Sequence, residues 1–110
     1  MLGLFAKRSI SATDAYAAQQ AGRTVVVDVR EDSERATAYV PGSRHMPLGQ
    51  LGDRLAELPD GQDVAFICQA GRRSAAAVSM ARKAGRTSRS VTGGMAAWRH
   101  ANLPVERTYR

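Results

Sequence analysis

The sequence predicts a single α/β domain in which a parallel sheet carries helices on both faces. Three observations predict it. The runs Val25-Val26-Val27-Asp28-Val29 and Val64-Ala65-Phe66-Ile67 are near-continuous in large apolar residues, the pattern of strands covered on both sides. Alanine-rich, helix-like stretches alternate with these runs along the chain, as in successive β-α units. The length of 110 residues allows one compact domain and little else. The domain is therefore expected to span residues 1–110, with its core at about 9–106.

The elements follow in order. Ser11, with Asp14 three residues on, resembles a capping box that opens an alanine-rich helix, and Gly22 would stop it. Residues 25–29 form the first clear strand. Residues 31–39 read as a short helix ended by Pro41-Gly42. Arg44 to Met46 read as a short strand before Pro47. Leu48, Leu51, Leu55 and Leu58 recur at spacings of three, four and three. That is one helix face, closed by Pro59-Asp60-Gly61 and expected to be core. Residues 64–67 form the second clear buried strand. A helix is expected over 73–84 with Gly85 as its stop, and a short strand near Ser90 to Thr92. After Gly93-Gly94 a last helix carries Met95 and Trp98, with Trp98 expected in the core.

Composition bounds the core. Apolar residues make up 44% of the chain, but 19 of them are alanine and only 20 are Val, Leu, Ile or Phe. A thin, alanine-lined core follows, in which helices lie close to the sheet. No apolar run approaches the ~20 residues of a membrane span. The opening MLGLFAKRSI places apolar residues before basic ones, the reverse of a secretory signal. The one cysteine, Cys68, cannot form an internal disulfide, and no Cys or His cluster has zinc-ligand spacing. His45 and His100 lack ligand partners, so no metal is expected. A reducing, cytoplasmic setting is the expectation.

Charge is unevenly placed. Residues 1–63 carry seven Lys/Arg against nine Asp/Glu, whereas residues 64–105 carry seven Lys/Arg and no acid. Residues 106–110 add one positive charge, giving the net +6. A basic segment of this kind favours anionic ligands, although a solvated helix face would look the same. Sparse aromatic interleaving argues against nucleic acid.

The chemistry concentrates after the second strand. Cys68 ends that strand, and Gln69-Ala70-Gly71-Arg72-Arg73-Ser74 lead into the next helix. The thiol thus lies at the carboxyl edge of the sheet, where open α/β sheets bind ligands. It also lies at the amino end of a helix, where free amides and the dipole favour an anion. Gly71 permits the torsions of a tight turn whose amides converge as a nest. Arg72 and Arg73 add positive charge. Together these features favour thiolate over thiol. A cysteine at a strand end is commonly a small buried hydrophobe; the Gly, the two Arg and the Ser beside it favour the nucleophile.

Two reactions suit such a cradle: attack on a sulfane sulfur, leaving a persulfide, or attack on phosphorus or arsenic. Oxyanion chemistry wants a wider cradle and a guanidinium gripping two oxygens. The Cys-x5-Arg phosphatase signature has Arg six residues after Cys, where this chain has Ser74, with Arg at the fourth and fifth positions. The loop is one residue short for a phosphatase or arsenate reductase.

The chain resembles the single-domain rhodanese family of sulfurtransferases, from about Ser9 to Glu106. Four stretches carry the resemblance: Val27-Asp28-Val29-Arg30-Glu31; Val40-Pro41-Gly42-Ser43 followed by Met46-Pro47; Cys68 to Ser74; and Gly93-Gly94-Met95-Ala96-Ala97-Trp98 followed by Leu103-Pro104-Val105. The resemblance implies a rhodanese-like five-stranded, mostly parallel sheet. It also implies two-step sulfur transfer through a persulfide on Cys68, with no metal or organic cofactor. Gln69, Ala70, Gly71, Arg72 and Arg73 match the loop whose amides hold the transferred sulfur. The two arginines would attract a small anionic donor, thiosulfate or a persulfide. Ser74 would cap the next helix or donate to the sulfur. The acceptor would be a thiol or cyanide, with a protein acceptor also compatible. A persulfide carrier or interaction module without robust turnover is the alternative. The chain departs from the family pattern at Tyr39, where His is usual, and at Arg86, where an aromatic is usual. Both positions read as structural. Asp28 and Arg30 are expected to pair with each other, and Gly93-Gly94 to make a turn that also lines the cleft mouth.

Overall fold

Alternation along the central strands sets the architecture of the domain. The computed structural model describes residues 7–107, and the chain start weighed against a secretory signal lies largely outside them. The elements run β1 (Ser9–Ile10), α1 (Ala12–Gln20), β2 (Thr24–Asp28), α2 (Asp32–Thr37), β3 (Arg44–His45), α3 (Leu51–Arg54), β4 (Asp63–Ile67), α4 (Arg72–Lys83), β5 (Ser88–Val91) and α5 (Gly94–His100). Single 3-10 turns at Leu48–Gln50 and Leu55–Glu57 flank α3. The five strands form one sheet in the order β1-β5-β4-β2-β3, and every pairing is parallel.

Successive side chains on a strand point to opposite faces. Val25, Val27, Val64 and Phe66 accordingly join one apolar layer, with the Leu51-Leu55-Leu58 segment and Ala77, Val78 and Ala81 of α4. Val26, Ala65, Ile67 and Val91 point the other way, onto Ala12 and Ala15 of α1 and Met95 and Trp98 of α5. Small alanine faces on α1 and α4 let both helices lie close to the sheet, which makes a core with few large side chains sufficient. Trp98 is fully buried. Its indole N–H donates to the Pro104 carbonyl at 2.8 Å, and Tyr16 meets its ring edge-on at 5.9 Å.

Local signals explain the termini. Ser11 caps α1 by accepting from the Asp14 amide at 3.1 Å. Helix α2 starts from a reciprocal box between Glu31 and Glu34, with Glu in place of the usual Ser or Thr at the capping position. One expectation changes. The leucine stripe is not one helix: Leu51, Leu55 and Leu58 are buried and Leu48 partly so, but the backbone breaks into short turns. Gly49 and Gly52 disfavour a continuous α-helix by about 1 kcal/mol each, and no side chain caps the turns. The expected five-stranded, mostly parallel sheet is present, and its strand pairings are all parallel. Its edge strand β1 is only two residues long, too short to leave a periodic signal.

Tyr39 and Arg86, the departures from the family pattern, both serve structure. Tyr39 pairs with Glu106 in an isolated bridge, and the Arg35 guanidinium lies 4.3 Å over its ring. Arg86 donates to the Pro59 and Leu55 carbonyls at 2.9 and 3.0 Å.

Candidate active site

The same alternation that builds the core delivers Cys68. After Val64 and Phe66, the next residue on that face is Cys68, so its thiol points toward α4 from the carboxyl end of β4. The loop that follows is anchored from outside. The Met95 amide donates to the Cys68 carbonyl at 2.7 Å and the Ala96 amide to the Gln69 carbonyl at 3.2 Å. These bonds require close approach of the Gly93-Gly94 backbone. A Cβ on Gly94 would lie 2.2 Å from the Cys68 carbonyl oxygen, and its φ is +54°. Inside the loop Gly71 adopts φ +116°, open only to a residue without Cβ. That torsion turns the Gly71 amide inward.

The result is a ring of donors on sulfur. The Gly71 amide lies 3.1 Å and the Ser74 amide 3.3 Å from Cys68 Sγ, and the Ala70 amide adds a smaller influence that favours the anion. Ser74 Oγ is 3.5 Å away. With the thiol protonated, Ser74 Oγ accepts from it and gives its one hydrogen to the Gly71 carbonyl at 3.1 Å; loss of the thiol proton frees that hydrogen to turn to sulfur, and Oγ also shares a 2.6 Å hydrogen bond with Ser90 Oγ on β5. Burial, the largest single influence, pushes the Cys68 thiol up; the Ser74 hydroxyl and the amides of Ser74, Gly71 and Ala70 together overcome it, so the thiol titrates below its usual value. The loop's own donors, rather than the two arginines, are the leading stabilisers of the anion.

The thiol lies deep: Cys68 is 1% exposed and forms the floor of the loop, while Gln69 and Ala70 are exposed on the rim. The two arginines differ in their surroundings. Arg73 grips Glu34 of α2 with both terminal nitrogens, at 2.7 and 2.9 Å. Arg73 holds Glu34 down to about 2, helped by the Glu31 amide against the opposing effect of burial. Arg72 is exposed and has no side-chain partner among the described residues.

Beside this pair Asp28 and Arg30 bond as expected. Arg30 donates to the two Asp28 oxygens at 3.0 and 2.8 Å, and to the Ala38 carbonyl at 2.6 Å. Both residues are buried, and removing one partner of such a pair costs about 3–5 kcal/mol. Arg35 adds a longer contact to Asp28 at 3.4 Å. His45 bonds the Arg30 carbonyl through Nε2 at 2.7 Å. Among the described residues no cluster of three or more His, Cys, Asp or Glu could hold a metal ion, and no helix is long and apolar enough to cross a membrane.

Sequence reasoning did not single out Glu34 or Ser90. Glu34 stands three residues after Glu31, a spacing that marks a helix start but says nothing of Arg73, 39 residues away. Ser90 lies in a strand read only by position, and nothing local signals that its hydroxyl meets Ser74.

Comparison with known proteins agrees with this geometry. The rhodanese-like domain family model matches residues 11–101. The chain is 39% identical over 90 residues to the HTH-type transcriptional regulator Rv0324 of Mycobacterium tuberculosis, covering 80% of this chain but only 40% of that protein. It is 32% identical over 79 residues to the putative sulfurtransferase YtwF of Bacillus subtilis, covering 72% of this chain and 77% of the other. The crystal structure of a rhodanese-related protein from Thermoplasma volcanium superposes with a TM-score of 0.84 at 33% identity, over 90% of this chain and 97% of that one. Fold, loop and relatives converge, and the chain belongs to the rhodanese-like domain family.

Proposed function

We propose that this domain moves a sulfane sulfur through a persulfide on Cys68. Sulfur transfer as a general chemistry is supported by family membership and by the sulfurtransferase name of a relative. The observation that carries the finer reading is the convergence of main-chain donors on Cys68 Sγ. In the first half-reaction the thiolate attacks the outer sulfur of thiosulfate or of a persulfide. A new S–S bond forms to Cys68, the donor's own S–S bond breaks, and its electron pair leaves on sulfite or on a thiolate. In the second, cyanide or a thiol attacks the outer sulfur of the persulfide, and the electron pair returns to Cys68. Fixed amides suit both steps, because the anion they hold moves by only one sulfur atom and no reorganisation is needed. Arg72, with Arg73 already matched by Glu34, is the cation that draws in an anionic donor. Gln69, Ala70, Gly71 and Ser74 complete the cradle.

A second reading has its own observation. With Cys68 only 1% exposed, the domain could serve as a persulfide carrier that reacts chiefly when a docked protein opens the loop. The experiment is intact-mass analysis after incubation with thiosulfate, with Cys68→Ser alongside. An added mass of one sulfur in the parent alone, removed by cyanide with formation of thiocyanate, supports the enzyme. Retention of the adduct against small acceptors favours the carrier. A folded parent that gains no sulfur from thiosulfate or from a small persulfide refutes both.

A further inference from the structure

Strand β5 reaches the cradle from the side. Ser90 is the register partner of Phe66 on β4, so its side chain shares a sheet face with Phe66 and, two residues on, with Cys68. Helix α4 crosses that face with Ser74 in its first turn. The Ser90 hydroxyl thus meets Ser74 Oγ at 2.6 Å, and Ser74 Oγ in turn lies 3.5 Å from Cys68 Sγ. Ser74 is fully buried and Ser90 nearly so. Ser88, two residues earlier on the same face, has no hydrogen-bond partner for its buried hydroxyl among the described residues, so a bond of this kind is not a default of the strand.

Counting hydrogens gives the contact a direction. Each hydroxyl has one hydrogen and two lone pairs. The Ser90 hydroxyl has no partner but Ser74 Oγ among the described residues. Its hydrogen either goes there or is buried unpaired, at the full cost of desolvating a donor. Ser74 Oγ therefore accepts from Ser90, and its own hydrogen is left with two destinations, the Gly71 carbonyl at 3.1 Å or sulfur. The Gly71 carbonyl also accepts from the Ala75 amide at 3.1 Å, so it stays satisfied when the Ser74 hydrogen leaves it. Rotation of that hydrogen onto the Cys68 anion thus orphans no group.

We propose that Ser90 is a positioning residue for Cys68: its hydroxyl, donating to Ser74 Oγ, holds Ser74 as a donor and directs the Ser74 hydrogen to the sulfur anion. Ser90 acts through Ser74 rather than by a hydrogen bond of its own to sulfur. Donors in series polarise one another, so the bond from Ser90 strengthens the bond from Ser74 to sulfur. The inference deepens the sulfur-transfer reading and rests on it for its use in turnover. There the relay serves each state in which Cys68 carries the negative charge: the thiolate that attacks, and the thiolate released when the acceptor takes the outer sulfur. Only a hydroxyl rotation is required, and no proton leaves either serine.

The test is the ultraviolet titration of the Cys68 thiolate in the full chain, each variant being read as a difference from the same variant carrying Cys68→Ser. Ser90→Ala should lower the acidity constant of Cys68 about two- to fivefold, the loss expected from one polarising bond in a buried chain. In a Ser74→Ala background the same change should have no effect, because the relay is already cut. Ser90→Thr keeps the hydroxyl on a β-branched side chain suited to a strand and should restore most of the acidity. Ser88→Ala removes a buried hydroxyl that has no bond to Ser74 and should leave the acidity unchanged. An unmoved titration in Ser90→Ala overturns the inference. So does an equal effect of Ser90→Ala with and without the Ser74 hydroxyl, or an equal shift in Ser88→Ala. The titration needs no sulfur donor, so a parent that takes up no sulfur overturns the sulfurtransferase reading and not the role of Ser90.

Discussion

Replacing Gly94 with Ala should dislodge the Cys68 loop from α5. The new Cβ would lie 2.2 Å from the Cys68 carbonyl oxygen and 2.8 Å from the Gln69 carbonyl carbon and oxygen. Ordinary C···O contact is about 3.3 Å or more, so the two backbones must part by about 1 Å. That parting stretches the 2.7 Å Met95–Cys68 and 3.2 Å Ala96–Gln69 hydrogen bonds. Left-handed backbone at a residue with Cβ costs about 1–2 kcal/mol, overpacking about 1–3 kcal/mol, and a lost hydrogen bond about 0.5–1.5 kcal/mol. The sum is about 3–6 kcal/mol. Gly22 provides the control, with φ +74° and nothing within 4 Å of its added Cβ. Gly22→Ala therefore bears only the backbone cost, about 1–2 kcal/mol. In a domain of this size about 1 kcal/mol moves Tm by 4–8 °C; the backbone cost is common to both variants, and the remaining difference of at least about 1.5 kcal/mol should make Gly94→Ala melt at least about 6 °C below Gly22→Ala. Differential scanning calorimetry of the two variants decides it. Equal melting temperatures would show that α5 does not clamp the loop and would refute the argument.

Three further outcomes are expected. Glu34→Gln should lose stability only where Glu34 is ionised: its folded value of about 2 lies below the ordinary 4.5, so its contribution is full above about pH 4.5 and disappears as pH falls toward 2. With the pair about one third exposed, screening limits it to about 1 kcal/mol; urea midpoints at pH 6, 4 and 3 should converge with the parent's, and a constant gap contradicts this. Arg72→Ala should raise KM for thiosulfate with little change in Tm, whereas Arg73→Ala should lower Tm as well by freeing Glu34; the reverse order in Tm would mean the two arginines have been given each other's roles. Ser74→Ala should raise the Cys68 pKa and leave the Ser90 hydroxyl buried without its partner, at about 1–3 kcal/mol; an unmoved thiol titration would remove Ser74 from the cradle.

The legible part of the fold was what short-range pattern encodes. Continuous apolar runs located β2 and β4, capping and glycine stops bounded the helices to within a few residues, and the Cys68–Ser74 stretch announced a strand-to-helix loop. What stayed hidden depends on residues far apart in sequence. Arg73 looks like a free cation until folding brings α2 alongside and Glu34 takes its charge. Ser90 looks like an ordinary strand residue until the β4–β5 register sets it opposite Phe66, on the face toward α4. The leucine stripe misled because burial at helical spacing needs only the right faces, not an unbroken helix. The depth of Cys68 was hidden for a related reason. A strand end suggests an edge, but alternation points this side chain inward, beneath its own loop.

Ionisation of Cys68 should be measured without any reagent having to reach it, because alkylation would mix its acidity with access to a 1% exposed side chain. The ultraviolet absorbance of the thiolate, followed against pH as a difference between the parent and Cys68→Ser, does this directly. If the amides of Ala70, Gly71 and Ser74 hold a sulfur anion, the midpoint falls below the free-thiol value of about 8.5. A midpoint at or above that value would contradict the cradle and every step derived from it.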